Sequence, residues 1–235
     1  MDLATRIQET VLLSPAATFI FLVTIATSIA AFQNPLLKAR FILQPSRFVH
    51  EKKYYTILTS GLIHANYLHL GMNLLAFYFF AFELDKFFVL IEAFQNSTGE
   101  PSATQDTINK LLGHGKFVIL YVGCLVISDM TSIIRHKDNP AYASLGASGA
   151  LSGVLTSAVI MFGASIKIWG LPGWVFVLGF LGLSYYNARY GSNDNIGHEA
   201  HLWGAIGGIF LTPILYPDRS WRFVQEMAET FSSIF

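Results

Sequence analysis

Gly146-Ala147-Ser148-Gly149-Ala150-Leu151-Ser152-Gly153 opens an apolar run that continues to about Ile166. Such a run approaches the ~20 residues that cross the hydrocarbon core of a bilayer. Gly149 and Gly153 stand four apart, so they share one face of a helix. Without a Cβ on that face a second helix backbone can approach closely. Ser148 sits at the mouth of this segment, where a hydroxyl would meet both the helix start and the polar boundary. These eight residues therefore predict a tightly packed membrane helix with a serine at its head.

The rest of the chain agrees with a membrane setting. Of 235 residues, 53% are hydrophobic and only 13% charged, with a mean hydropathy of +0.47. A soluble domain carries nearer ~25% charged residues. The formal net charge is zero, which gives no basic footprint for nucleic acid. The one cysteine, Cys124, lies in an apolar run. It excludes an internal disulfide and a cysteine-rich metal site, and reads as a packing residue. The first apolar segment follows Arg6, with Asp2 and Glu9 nearby. It lacks the charged start of a secretory signal and reads as a retained helix.

Six spans are expected, at about 15–32, 61–82, 117–134, 148–166, 171–186 and 199–215. Pro15 suits a first helical turn, and Pro213 and Pro217 mark the end of the sixth. Between the first two spans, Gln33 to Ser60 mixes Phe41, Phe48, Tyr54 and Tyr55 with Lys38, Arg40, Arg47, Lys52 and Lys53. Aromatic and basic residues together suit the headgroup zone, so this segment is expected to lie on the membrane. Asn96 to Ser102 reads as a loop. Residues 218–235 form a short tail with Trp221, Phe223, Val224 and Met227 among charges, expected at the surface. The whole is read as one domain, 1–235: an all-α, polytopic, six-span bundle in a cell membrane. Its orientation is not fixed by charge. Seven basic residues on the side of the termini face eight on the other, which leaves the positive-inside rule nothing to act on.

Polar residues inside the spans carry the functional reading. His69 and Asn73 stand four apart and share a helical face. Facing lipid, their donors would go unpaired at several kcal/mol, so they must face protein or a water-filled cavity. They read equally as a helix-to-helix hydrogen bond or as functional groups. His64 falls on another face and reads as structural or interfacial. In the sixth span, His201 shares a face with Gly204 and Gly208 at i, i+3 and i+7. That pair matches Gly149 and Gly153 on the fourth span. Glycine faces on both helices permit the approach of ~2.6–3.2 Å that proton transfer from a serine to a histidine requires. A packing-only role for the glycines is the plainer alternative.

Other chemistries fit less well. His198-Glu199-Ala200-His201 is one residue short of H-E-x-x-H. No carboxylate is evident in the middles of the other spans, Asp129 being the nearest, so no metal and no cofactor are expected. The Gly-Ala-Ser-Gly-Ala run is not the G-x-S-x-G elbow, because position 150 is alanine and no strand precedes it. Asp194 and Glu199 near the sixth helix are read as solvated.

Taken together, these residues resemble the rhomboid family of intramembrane serine proteases. Gly146 to Gly149 is similar to that family's G-x-S-G. His69 and Asn73 are similar to its H-x-x-x-N, and Ala200-His201-Leu202-x-Gly204 to its histidine motif. They fall on the second, fourth and sixth spans in order, within a similarity covering about Ser46 to Leu215. The resemblance implies Ser148 as nucleophile and His201 as general base. It implies His69, Asn73 and the Ser148 backbone N–H as holders of the oxyanion, and no catalytic acid. It also implies transmembrane proteins as substrates and the bilayer as surroundings; it says nothing of oligomeric state. Three departures accompany it. A Trp-Arg pair usual before the second span is replaced near Tyr55-Thr56. A tyrosine that packs on the histidine is replaced by Ser152. The connection from Phe87 to Lys116 is long. The alternatives are a catalytically silent relative that binds membrane helices, and a small-solute transporter, which would show paired broken helices.

Overall fold

The computed structural model describes residues 3–96, 102–191 and 197–232. The described residues are mostly helical. Helices α1 (Leu3–Leu13) and α2 (Pro15–Gln33) lead into three short helices, α3 (Pro35–Phe41), α4 (Pro45–His50) and α5 (Thr56–Thr59). A 3-10 turn, Ser60–Leu62, precedes α6 (Tyr67–Ala76), which runs through a π-helical stretch, Phe77–Ala81, into α7 (Phe82–Gln95). Then come α8 (Ala103–His136) and α9 (Ser148–Phe162). A two-stranded hairpin, β1 (Lys167–Ile168) with β2 (Leu171–Pro172), leads to α10 (Gly173–Tyr190). Helices α11 (His198–Leu215) and α12 (Pro217–Ser232) close the chain.

α9 is the central post, with every residue from Gly149 to Met161 buried. A core of Phe77, Leu84, Phe88, Phe117, Leu120, Tyr121 and Val154 joins it to the helices around it. Large apolar side chains point outward instead on α2 (Phe19, Leu22), α10 (Leu178, Leu183) and α11 (Phe210, Ile214). Among the described residues, two helices, α2 and α8, are long and apolar enough to cross a membrane, and α9 is apolar but shorter. α10 and α11 have polar ends, Asn187 and Arg189 on one and His198, Glu199 and His201 on the other.

Several boundaries differ from those read in the sequence. The helix expected from Gly61 begins at Tyr67, because the Asn66 side chain caps it by accepting from His69 N at 2.8 Å. His64 therefore lies on no helical face. It is fully buried in the preceding strap, with Nδ1 2.9 Å from Ser28 Oγ. The helix expected from Phe117 begins instead at Ala103. Its first turns are too polar for a hydropathy window, yet local chemistry stabilises them. Ser102 caps them by accepting from Gln105 N at 3.2 Å, and Asp106 pairs with Lys110 at 2.6 Å. At 34 residues, α8 is about 51 Å long, well beyond the ~30 Å hydrocarbon core. The long 87–116 connection is thus mostly helix, α7 against α8. Gly113 lets them touch, for a Cβ there would lie 2.6 Å from Val89 Cα. Residues 97–101 of the expected loop lie outside the described residues. α9 stops at Phe162, where Gly163 turns the chain with φ +102°.

The end of the bundle near the termini is tied by polar pairs. Asp85, fully buried, accepts from Ala17 N at 3.0 Å and meets His114 Nδ1 at 2.7 Å. Glu92 pairs with Lys116 at 2.5 Å, and Lys116 lies 4.4 Å from the ring centroid of Tyr216. The tail expected at the surface is the amphipathic α12, and it is anchored. Arg219 Nε donates to Met161 O at 2.7 Å, and Glu226 accepts from Ala164 N at 2.8 Å. The first of these satisfies a carbonyl that the end of α9 leaves open.

Candidate active site

α9 and α11 meet backbone to backbone. A Cβ on Gly204 would lie 1.9 Å from the carbonyl oxygen of Gly149, and one on Gly208 would lie 2.3 Å from that of Gly153. From the other side, a Cβ on Gly149 would sit 2.1 Å from Ser128 Oγ and 3.6 Å from Ala200 O. One on Gly153 would sit 2.2 Å from Cys124 Sγ. No side chain fits between these helices. Ser148 adjoins Gly149 in sequence, and His201 adjoins Ala200 one turn before Gly204. Both side chains are half-buried, and each lies close in sequence to this contact.

The start of α9 supplies backbone donors. The first N–H that reaches an acceptor one helical turn back is that of Leu151, onto Ala147 O at 3.0 Å. The N–H groups of Ser148, Gly149 and Ala150 lie upstream of it, at the positive end of the helix dipole. Ser152, one turn on, donates to Ser148 O at 2.7 Å.

His69 lies beside Gly146, two residues before Ser148. Its ring lies over Gly146, so that a Cβ there would fall 2.9 Å from Nε2. Gly146 itself has φ +117°, a conformation glycine adopts without strain. The Ala65 N–H points at His69 Nδ1 at 3.4 Å. Nδ1 is then the acceptor and Nε2 carries the proton, an assignment made from the hydrogen-bond network. The donor nitrogen is the one facing Gly146. Asn73, buried on the same face, donates from Nδ2 to His69 O at 2.9 Å. A side-chain amide carries two such hydrogens, so one remains.

Two departures noted in the sequence find a structural answer. With serine at 152, the ring against His201 comes from Phe180 of α10, at 6.0 Å between centroids and 24° between planes. Without the Trp-Arg pair, the α3–α5 segment is braced by Arg47. Its Nη1 donates to Ala39 O at 3.2 Å and to Gln44 Oε1 at 2.8 Å. The segment also bridges to the loop before the serine, with Leu43 and Ser144 exchanging both backbone bonds at 3.1 and 2.8 Å.

Two carboxylates sit differently from the sequence reading. Glu199 is not solvated. Its side chain is 14% exposed and lies 2.9 Å from Arg135 Nε and 3.6 Å from His136 Nε2. The end of α8 thereby holds the first turn of α11. His136 also stacks on Tyr142 at 3.7 Å, in the loop leading to Ser148. Burial raises the Tyr142 phenol above its ordinary pKa, so it stays a neutral partner for Ser132 Oγ at 3.3 Å. Asp194 lies outside the described residues. His198 stands with its ring 6.0 Å from that of His201 and its Nε2 3.4 Å from Asn187 Nδ2. Sequence reasoning missed Phe180 and the Glu199 clamp, because neither has a motif.

Comparison with known proteins identifies the family. The family model described as the rhomboid domain matches residues 51–96 and 102–218. The chain belongs to the rhomboid family. It is also similar to YdcA of Bacillus subtilis (strain 168), whose name marks it as a candidate rhomboid protease. The two are 22% identical over 171 residues, covering 73% of this chain and 72% of that one. Membership of the rhomboid family points to an integral membrane protein and to intramembrane proteolysis. The matched residues take in the whole arrangement around Gly146, Ser148 and His201.

Proposed function

We propose that this protein is an intramembrane serine endopeptidase with a Ser148–His201 dyad. The observation that supports the reading is the Gly149–Gly204 contact, which packs the helix that begins at Ser148 directly against the helix that carries His201. His201 takes the hydroxyl proton as Ser148 attacks the scissile carbonyl, because a serine needs a base to become nucleophilic. The oxyanion that forms is stabilised by the Ser148 N–H, by His69 Nε2–H and by the remaining Asn73 hydrogen. In a site of low dielectric, one such donor is worth ~2.7–4 kcal/mol. His201 then protonates the leaving amine, and water releases the acyl group. Six helices, α2, α6–α7, α8, α9, α10 and α11, form the membrane bundle in this reading.

The substrate is a single-pass membrane protein. Ser148 and His201 both stand at the helix ends opposite the termini, so water reaches them from that side. A helical substrate has its carbonyls in hydrogen bonds and must unwind to be cut. Glycine, proline or small polar residues near the cut should favour cleavage, because they weaken the helix. In a test substrate, helix breakers at the end facing that side should be cleaved faster than an all-leucine span.

The decisive measurement is labelling by a fluorophosphonate probe, followed by mass mapping. Ser148 is the expected site, and Ser148→Ala should abolish both labelling and cleavage with the fold intact. His201→Ala should reduce cleavage to near background, whereas His198→Ala should keep most of it. Labelling of Ser144 or Ser152 instead, or the reverse ranking of the histidines, would contradict the dyad. A folded wild-type protein that neither labels nor cleaves would be the silent, helix-binding relative.

A further inference from the structure

Asp129 has no part in the chemistry above, yet it is a carboxylate within α8, two turns before its C-terminal end, with only 4% of its surface exposed. Ionisable groups at such positions are costly and are retained for a reason. Its hydrogen bond to Ser60 explains where the reason lies. Ser60 Oγ donates to Asp129 Oδ2 at 2.8 Å, and Ser60 is itself 1% exposed. The carbonyl of the same Ser60 accepts the backbone N–H of Gly146 at 2.9 Å. Four residues on, His64 Nε2 accepts the N–H of Ala147 at 3.4 Å. The strap from Ser60 to His64 thus binds the two N–H groups immediately before Ser148.

The strap lies flat on α8. A Cβ on Gly61 would fall 2.7 Å from Leu125 Cδ2, and Leu125 is one turn before Asp129. The far end is also held, since Ser28 Oγ donates to Leu62 O at 3.1 Å while meeting His64 Nδ1 at 2.9 Å. With the serine proton on Leu62, Nδ1 carries the imidazole proton and Nε2 is free to accept from Ala147. Every bond along the strap has a consistent direction. It starts at the Asp129 carboxylate and ends at the peptides that carry Gly146, over which the His69 ring sits.

We propose that Asp129 is a positioning residue, acting through Ser60 to hold Gly146 and Ala147 and so to align the oxyanion donors. The proposal rests on the protease reading above. If Ser60 shifts, Gly146 shifts with it, and the gap between His69 Nε2 and the Ser148 N–H changes. Misplacement of about 1 Å is enough to cost ~10²-fold in rate, so a partial shift costs less and falls on kcat.

The test uses the purified full chain and a single-span substrate in proteoliposomes. Asp129→Ala should lower kcat by about 10-fold and leave KM within about twofold, the signature of a lost transition-state interaction. Ser60→Ala removes the same bond from the other side and should do the same. Asp129→Asn keeps an oxygen for Ser60 and should recover most of the rate. Combining Asp129→Ala with Asn73→Ala should cost less than the product of the two losses, since both act on one oxyanion. Should Asp129→Ala fail to fold, Ser60→Ala and its rescue by Ser60→Thr decide the matter. Wild-type kcat in a folded Asp129→Ala or Ser60→Ala protein would overturn the proposal, as would multiplicative losses or an Asn variant no better than Ala. In those cases Ser148 labelling in the wild type leaves the protease reading standing. An unlabelled wild type would overturn both.

Discussion

Gly204 and Gly208 of α11 and Gly179 and Gly182 of α10 are the same residue on consecutive helices, but their surroundings are opposite. A Cβ on either of the first pair would collide with the backbone of α9, whereas a Cβ on either of the second would meet nothing within 4 Å. The α9–α11 contact is closed at the level of the main chain. α10 is held more by large side chains, Val177 buried against α9 and Phe180 laid on His201. Glycine in a helix costs roughly 0.5–1 kcal/mol relative to alanine. On α11 that cost is offset by an approach no other residue permits; on α10 no contact offsets it. The difference separates a helix that must not move from one whose position side chains adjust.

The largest effect should come from forcing a side chain into the α9–α11 contact. Gly204→Ala places a methyl group against Gly149 O, a main-chain atom that no rotamer change can remove. Overpacking typically costs ~1–3 kcal/mol, and here it also drives Ser148 from His201. Cleavage should fall to near background and thermal stability should drop. A Gly204→Ala protein with wild-type activity would break the comparison. An intermediate effect is expected from Phe180→Ala. Aromatic pairs of this kind contribute about 0.5–1.5 kcal/mol, which is about 2- to 12-fold in rate if the ring serves to orient the base. The loss should appear in kcat at unchanged fold, and Phe180→Tyr should restore it. The smallest effect belongs to Gly179→Ala. It should stabilise the protein by up to roughly 1 kcal/mol and leave kcat/KM unchanged. A destabilised Gly179→Ala would mean that α10 has a backbone contact of its own.

Much of the arrangement is readable in the residues. Hydropathy locates α2, the apolar part of α8 and α9, because lipid-facing and buried positions are both apolar. Spacing groups His69 with Asn73, and His201 with Gly204 and Gly208, because the helical period is local. Other features escape a hydropathy window. The first turns of α8 are held by a cap and an ion pair, and α6 starts late because Asn66 takes the His69 N–H. Glu199 looks like a solvated charge until Arg135 and His136 arrive from a helix more than sixty positions away.

By itself, then, the sequence determined the helical character, the order of the motif-bearing helices and the family, all of which follow from residue type and short-range period. Tertiary structure decided which glycines are indispensable, which ring supports His201 and what Asp129 holds. Those depend on which atoms of distant segments come within a few ångströms, and neither hydropathy nor period encodes that distance. Gly179 and Gly204 are identical letters in similarly apolar stretches of sequence. Only the backbone of α9, lying against one and not the other, separates them.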